Sequence, residues 1–247
     1  MRIRNAIRHA IAKSVRGSSL LTGIKRRFDS RKTLVEFQST QQYWEHRYES
    51  GGDSGEGSYG QLARYKADFI NTFCEHSKPS SVIEFGCGDG NQASLLSISA
   101  YTGIDISKKC IDDCKKQLAR RGYQFMVLED YLKDKEPSSN DLVLSLDVIF
   151  HLIEDDVYRN YIDTMLAASA KYAIVYSSNF THFDKSLPHV RHREFVQDIV
   201  TWHPEWNLVQ KFDNPFAKQH DSREYGSFAQ FHLMQRAPAS GLVSTKL

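Results

Sequence analysis

The sequence predicts an α/β domain: a mostly parallel seven-stranded sheet with helices on both faces and an antiparallel hairpin at its C-terminal edge. Three observations predict it. Short apolar runs alternate with helically spaced segments between residues 80 and 177, the pattern of βαβ units. The first of these runs leads straight into a glycine cluster, Gly86, Gly88 and Gly90. Two late runs, 206–212 and 227–235, are joined by a loop with no helical pattern between them, as an antiparallel edge requires.

Each element has its own signal. Ile3, Ile7, Ile11 and Val15 recur every four residues with basic residues between them, which predicts a short amphipathic basic helix. Residues 40–49 read as a brief helix. Residues 51–60 contain five glycines in ten positions and read as a loop. Leu62, Tyr65, Phe69, Ile70 and Phe73 lie on one helical face, so 61–76 is predicted as a helix that Pro79 ends. A strand at 81–85 follows, then a helix near 91–97 and a strand at 101–106. Ser107 is placed to cap a helix running to about 121. Strands are expected at 124–128, 141–146 and 172–177, and helices at 154–170 and 190–202. No internal repeat is visible.

The 247 residues allow one α/β domain with an arm, or two small domains. The division read from the sequence is a basic arm at 1–39, a catalytic domain at 40–236 with a cap at 40–60, and a tail at 237–247. The charge supports this split. Residues 1–32 hold ten basic side chains and one acid, a net charge of +9; the remainder holds 22 basic and 29 acidic side chains, net −7. An acidic body is a poor general match for nucleic acid, which is bound largely through Lys and Arg on phosphates. The arm suits an anionic membrane surface or a partner, but charged arms of this kind more often read as a solvated tail. No apolar run is long enough for a transmembrane helix, and no secretory signal is evident. Cys74, Cys87, Cys110 and Cys114 form neither a C-x-x-C pair nor a disulfide framework, so a reduced, cytoplasmic protein is expected. No cluster has metal-ligand spacing.

Four motifs carry chemistry. In the first, Val82-Ile83-Glu84-Phe85-Gly86-Cys87-Gly88-Asp89-Gly90, a strand enters a G-x-G-x-G turn. Asn91 occupies the position where a dinucleotide fingerprint, G-x-G-x-x-G, has its third glycine, and Glu84 would face a pyrophosphate badly but a cation well. The second is Asp105, which ends the next strand 21 residues after Glu84 and is placed to bind ribose hydroxyls. The third is Glu129-Asp130 after the third strand, where a carboxylate can accept from an adenine amino group or simply be a solvated loop acid. The fourth is Asp147 at the end of the fourth strand with His151 one turn later. His151 is either a proton acceptor or a packed, hydrogen-bonded histidine.

Taken in order and spacing, these motifs resemble the class I methyltransferases that use S-adenosylmethionine (SAM) and release S-adenosylhomocysteine (SAH). The resemblance implies a Rossmann-like fold. It assigns Glu84, Gly86, Cys87, Gly88 and Gly90 to the loop around the methionine end of SAM, Asp105 and Ile106 to the ribose, Asp130 and Tyr131 to the adenine, and Leu146 and Asp147 to the methionyl region. The segment Tyr43-Trp44-x-x-Arg47-Tyr48, with the glycine-rich stretch and Ser58-Tyr59-Gly60 after it, is similar to methyltransferases of bacterial surface-polysaccharide gene clusters. That similarity implies a cap over the cofactor contributed by Tyr43, Trp44 and Arg47.

The acceptor is read partly by exclusion. Residues 147–149 lack the (D/N)-P-P-(Y/F) pattern of enzymes that methylate exocyclic amines of bases, and no Pro-Cys pair occurs. A hydroxyl is therefore the expected acceptor, and the likeness of the segment 41–60 implies that it belongs to a sugar or related small metabolite in surface-glycan biosynthesis. Asp147 and His151 are the expected catalytic pair, with His182 and His189 as further bases. His182, His189, Arg191 and Arg193 form a basic stretch suited to a phosphate or carboxylate on the acceptor, and Tyr225 and Phe228 are further candidates for its mouth. The alternatives are a SAM-binding protein without transfer activity and a small-molecule N- or C-methyltransferase.

Overall fold

The computed structural model describes residues 2–17, 37–133, 139–217 and 226–238. The first helices are α1 (Arg2–Gly17), α2 (Thr40–Glu49) and α3 (Gly60–Ser77). The alternating part follows: β1 (Val82–Phe85), α4 (Asn91–Ser94), β2 (Tyr101–Asp105), α5 (Lys108–Gln117), β3 (Gln124–Val127), α6 (Leu128–Lys133), β4 (Asn140–Leu146), α7 (Asp155–Ala167) and β5 (Ser169–Ser177). The chain then forms β6 (His182–Phe183), β7 (Arg191–His192), α8 (Phe195–Trp202), β8 (Trp206–Phe212) and β9 (Gln230–Arg236).

Seven strands make the main sheet in the order β3-β2-β1-β4-β5-β9-β8. The first five are parallel, while β9 runs antiparallel to both β5 and β8. Because β1 lies between β2 and β4, the chain winds outward in opposite directions from β1. Ligands bind at such a reversal, beyond the carboxyl ends of the strands. Side chains alternate across the sheet. Val82, Leu142, Leu144 and Ile174 pack on one face with Phe69, Ile70 and Phe73 of α3, whereas Ile83, Val143, Ala173 and Val175 pack on the other with Ile162 and Met165 of α7. All four residues of β1 are buried, as a strand covered on both faces should be.

The sequence and the structure differ at a few elements. The helix expected over 91–97 stops at Ser94, where the Arg121 guanidinium takes the carbonyls of Ser94 and Leu96. The acids after β3 begin a short helix, α6, instead of lying in a loop. The helix expected over 190–202 begins only at Phe195, because Arg191 and His192 pair with Phe183 and His182 in a two-stranded ribbon. The amphipathic helix of the arm forms, but its apolar face is turned inward. Ile7 is fully buried in the same cluster as Tyr65 and Ile70 of α3, with Ile3 and Ile11 against it, while Arg8 and Lys13 are exposed. The basic run Lys25–Lys32 and the tail beyond 238 lie outside the described residues.

Candidate active site

The turn after β1 is shaped by glycine. Gly86 and Gly88 have positive φ (79° and 55°), and a Cβ on Gly88 would collide with Ser54 Oγ. Gly90 shares the positive φ (78°) and also lets α5 approach, since a Cβ there would lie 2.8 Å from Cys114 Sγ. Asp105 holds this turn from the end of β2. One carboxylate oxygen accepts from the Gly88 amide at 2.9 Å and the other from the Ser107 amide at 2.9 Å. Burial pushes the Asp105 carboxyl up to about 6, against the pull of those amides. Glu84 is also fully buried and accepts from the Tyr101 hydroxyl at 2.6 Å; burial pushes it up to about 7.

The segment between α2 and α3 lies over this turn. Ser54 and Asp89 bond reciprocally, the Ser54 amide donating to the carboxylate and Ser54 Oγ accepting from the Asp89 amide, both at 2.9 Å. The Tyr59 hydroxyl donates to the same carboxylate at 2.7 Å, and Asn91 donates to the Ser58 carbonyl at 2.6 Å. The start of α2 is fixed from the other side, where the Thr40 amide and hydroxyl both donate to Glu154.

Two adjoining cavities result. The first, about 360 Å³, is lined by the strand ends Glu84–Gly88, Ile104–Ile106 and Leu146–Val148, with Trp44 and Tyr48 from α2 and Lys66 from α3. The second, about 220 Å³, is lined by Tyr43, Trp44, Arg47, Phe150, His151, His189 and Phe228. Trp44, Ser54, Asp147 and His151 belong to both.

That shared boundary has unusual chemistry. Asp147 sits in the left-handed region at φ 61°, which Asp tolerates better than most residues. Its carboxylate meets the Lys66 ammonium at 2.6 Å, and a Cβ on Gly57 would lie 2.7 Å from it. His151 Nδ1 is 2.8 Å from the His189 carbonyl, which can only accept, so Nδ1 carries the hydrogen and Nε2 keeps its lone pair. Burial holds the ring neutral, pulling it down to about 3. Trp44 packs edge-on against it at 4.9 Å, and Tyr43 stacks on His189 at 4.7 Å.

The residues expected from sequence fall into groups. Glu84, Gly86, Cys87, Gly88, Asp105, Ile106 and Leu146 line the first cavity; Tyr43, Arg47 and His189 line the second; Trp44, Asp147 and His151 line both. Several others stand elsewhere. Asp130 is exposed and paired with Lys133, and Tyr131 packs edge-on against Phe85; the apolar Leu128 and Leu132 line the cavity where these two were expected. Arg193 donates to the Leu152 and Ile153 carbonyls and to Asp155, and Arg191 to Ile153 and Asp155, so both guanidiniums brace the loop after β4 and line neither cavity. His182 is exposed, stacked on His192. Tyr225 lies outside the described residues. The sequence reading passed over Lys66, Ser54 and Phe150. Ser54 and Phe150 carry no local signal, but a lysine on the apolar side of α3 is one. Among the described residues, no group of three or more His, Cys, Asp or Glu side chains is placed to hold a metal ion.

Comparison with known proteins agrees with this geometry. Residues 82–172 match the protein family described as "Methyltransferase domain". Proteins described as "Uncharacterized methyltransferase" from Bacillus mycoides (strain KBAB4) and Bacillus cereus (strain 03BB102) are each 27% identical over 125 residues, 49% of this chain. The chain spans 57% of the length of these relatives. Among solved structures, the N-methyltransferase NodS from Bradyrhizobium japonicum WM9 in complex with SAH superposes with a TM-score of 0.58 at 16% identity, over 81% of this chain and 100% of that one. Magnesium protoporphyrin IX methyltransferase from Synechocystis PCC 6803 with bound SAH gives 0.56 at 15% identity, over 80% and 98%. Residues 82–172 thus resemble a methyltransferase domain, and the sheet around them has the fold seen in SAM-dependent methyltransferases.

Proposed function

We propose that the protein is a SAM-dependent O-methyltransferase whose acceptor is a hydroxyl of a sugar or related small metabolite. The observation that carries this reading is the boundary between the two cavities, where Asp147 and His151 face both. The residues of the first cavity fit SAM. Three buried or half-buried carboxylates, Glu84, Asp105 and Asp147, suit a cationic ligand, and the Gly88 backbone leaves room that a side chain would fill.

When bound, SAM supplies an electrophilic methyl group on a positively charged sulfur. The remaining work falls to this chain. Trp44, Phe150 and His189 confine the acceptor, and orientation of this kind supplies several kcal/mol of the barrier. Nε2 of His151, which keeps its lone pair, would accept the hydrogen bond of the acceptor hydroxyl; burial makes the ring a weak base, so it would take the proton only as the methylated oxygen becomes strongly acidic. The Lys66 ammonium fixes the Asp147 carboxylate beside that step. A small cavity lined by several rings, with Arg47 and Glu56 among its polar groups, supports an acceptor of one ring: aromatic faces pack against the apolar face of a sugar while polar groups take its hydroxyls. A role in surface-glycan biosynthesis rests on the likeness of the segment 41–60. The apolar side of α1 is covered by α3, so contact of this helix with an anionic membrane would be electrostatic, through such exposed bases as Arg8 and Lys13.

The test is transfer from SAM with a labelled methyl group to a panel of sugars, sugar phosphates and nucleotide sugars, with the product located by NMR. Label on a sugar oxygen is expected. Label on nitrogen or carbon, or a binary SAM complex that transfers to nothing in the panel, overturns the hydroxyl reading.

A further inference from the structure

We propose that Arg47 binds an oxyanion on the acceptor, a phosphate or carboxylate carried by the sugar ring, and so selects charged sugars over neutral ones. The charge pattern of the second cavity carries this inference. Among the described residues that line it, Arg47 is the single Lys or Arg, and the acids are Glu56 and Asp147. Asp147 is already matched by the Lys66 ammonium at 2.6 Å, and Glu56 is exposed, where solvent weakens its pull. The first cavity is the reverse, with Glu84, Asp105, Asp147 and Glu154 around one lysine. The two cavities therefore suit ligands of opposite charge.

The Arg47 guanidinium is held along one edge and open at the other. Nε donates to the Asp53 carbonyl at 2.6 Å, and Nη2 donates to the Asp53 carboxylate at 3.3 Å. Nη1 donates to no described residue, which leaves two N–H groups at the cavity wall. The pair with Asp53 is partly exposed and weak, so Nη2 is open to a stronger acceptor as well. A guanidinium in this state can grip phosphate or carboxylate oxygens with two parallel bonds. The glycine-rich loop is folded tightly on the same side chain: a Cβ on Gly52 would lie 2.9 Å from Arg47 Cγ. Arg191 and Arg193, by contrast, spend their donors on carbonyls and Asp155 away from both cavities. The charge of Arg47 also acts inside the cavity. Burial first, and Arg47 second, hold the His189 ring below its ordinary value. The Trp44 ring centre is 5.5 Å from Arg47 Cζ and 4.9 Å from the His151 ring. One indole thus joins the guanidinium to the base, and a single sugar ring beside it can present a hydroxyl to His151 and an oxyanion to Arg47.

The inference rests on the sugar reading and names the class of sugar. Transfer of labelled methyl from SAM is measured on glucose, galactose and mannose, on their 6-phosphates and on their uronic acids, with the wild type, Arg47→Met and Arg47→Lys. The wild type should favour charged members over their neutral parents by roughly tenfold or more in kcat/KM, the range of a hydrogen bond to a charged group. Faster transfer to the phosphates assigns a phosphate, and faster transfer to the uronic acids a carboxylate. Arg47→Met should cost the charged members about tenfold or more, chiefly in KM and with SAM affinity constant, and the neutral members far less. Arg47→Lys, which keeps the charge and loses the fork, should retain part of the preference. Equal losses on charged and neutral members would show a merely structural role and overturn the proposal. Should Arg47→Met fail to fold, the wild-type preference and Arg47→Lys decide by the same criteria. Label on neutral sugars alone refutes this inference and spares the sugar reading, whereas label on no sugar refutes both.

Discussion

The two cavities meet at Trp44, Ser54, Asp147 and His151, yet they are built by different means. The first is made by the ends of β1, β2 and β4, with buried carboxylates held by backbone amides and a tyrosine hydroxyl. The second is made by rings from α2, from the turn after β4 and from the connections at 189 and 226–228. The strand-end cavity carries buried carboxylates on an otherwise largely apolar lining and is fixed by main-chain hydrogen bonds. Its neighbour is aromatic and depends on how distant segments pack. In the proposed reading, the strand-end geometry of the βαβ turn would hold the reagent, whereas the acceptor would be read by the segments packed around it.

Changes on the two sides should therefore separate. The largest effect is expected at the boundary. His151→Ala should lower turnover by about 10²–10⁴ with SAM affinity unchanged, as loss of a positioned base does; a change in SAM affinity with turnover intact would break the distinction. Next, Asp105→Ala should weaken SAM binding by roughly 100-fold, because it removes the clamp on Gly88 and the proposed ribose acceptor. Calorimetry measures this, and unchanged affinity would remove Asp105 from the cofactor site.

A smaller effect is expected from pH. With the Glu84 carboxyl at about 7 and Asp105 at about 6 in the free protein, a cationic ligand must displace protons below those values. SAM affinity should fall by about tenfold from pH 8 to pH 6 and level off above pH 8. His151, pulled down to about 3, adds nothing in that window. An affinity that rises on acidification would contradict the ionised-carboxylate account.

The smallest expected effect falls on the braced arginines. Arg191→Ala should lower Tm by a few degrees, the scale of about 1 kcal/mol in a domain of this size, and leave KM for the acceptor unchanged. A raised KM at constant Tm would return Arg191 to the substrate side.

The same division governs what the sequence reveals. The strands from Val82 to Ser177 were legible because each carries a local apolar run, and Glu84, Asp105 and Asp147 because each ends one. Asp130 was misplaced because Leu128 begins a short helix that turns the acid outward to Lys133. Arg191 and Arg193 look like a basic patch in one dimension, but their partners are carbonyls about 40 residues earlier, which no local pattern announces. The basic amphipathic helix at the start was legible as a helix. Where its apolar side goes depends on α3, far along the chain. The ring-lined cavity joins residues from 43 to 228 and had no single signal.

The central claim is that cofactor and acceptor meet across Asp147 and His151. A crystal structure of the protein with SAH tests it most directly. The account predicts SAH in the first cavity, ribose on Asp105, sulfur facing the boundary and open toward the ring-lined cavity. SAH bound elsewhere, or with its sulfur turned away from His151, would contradict it.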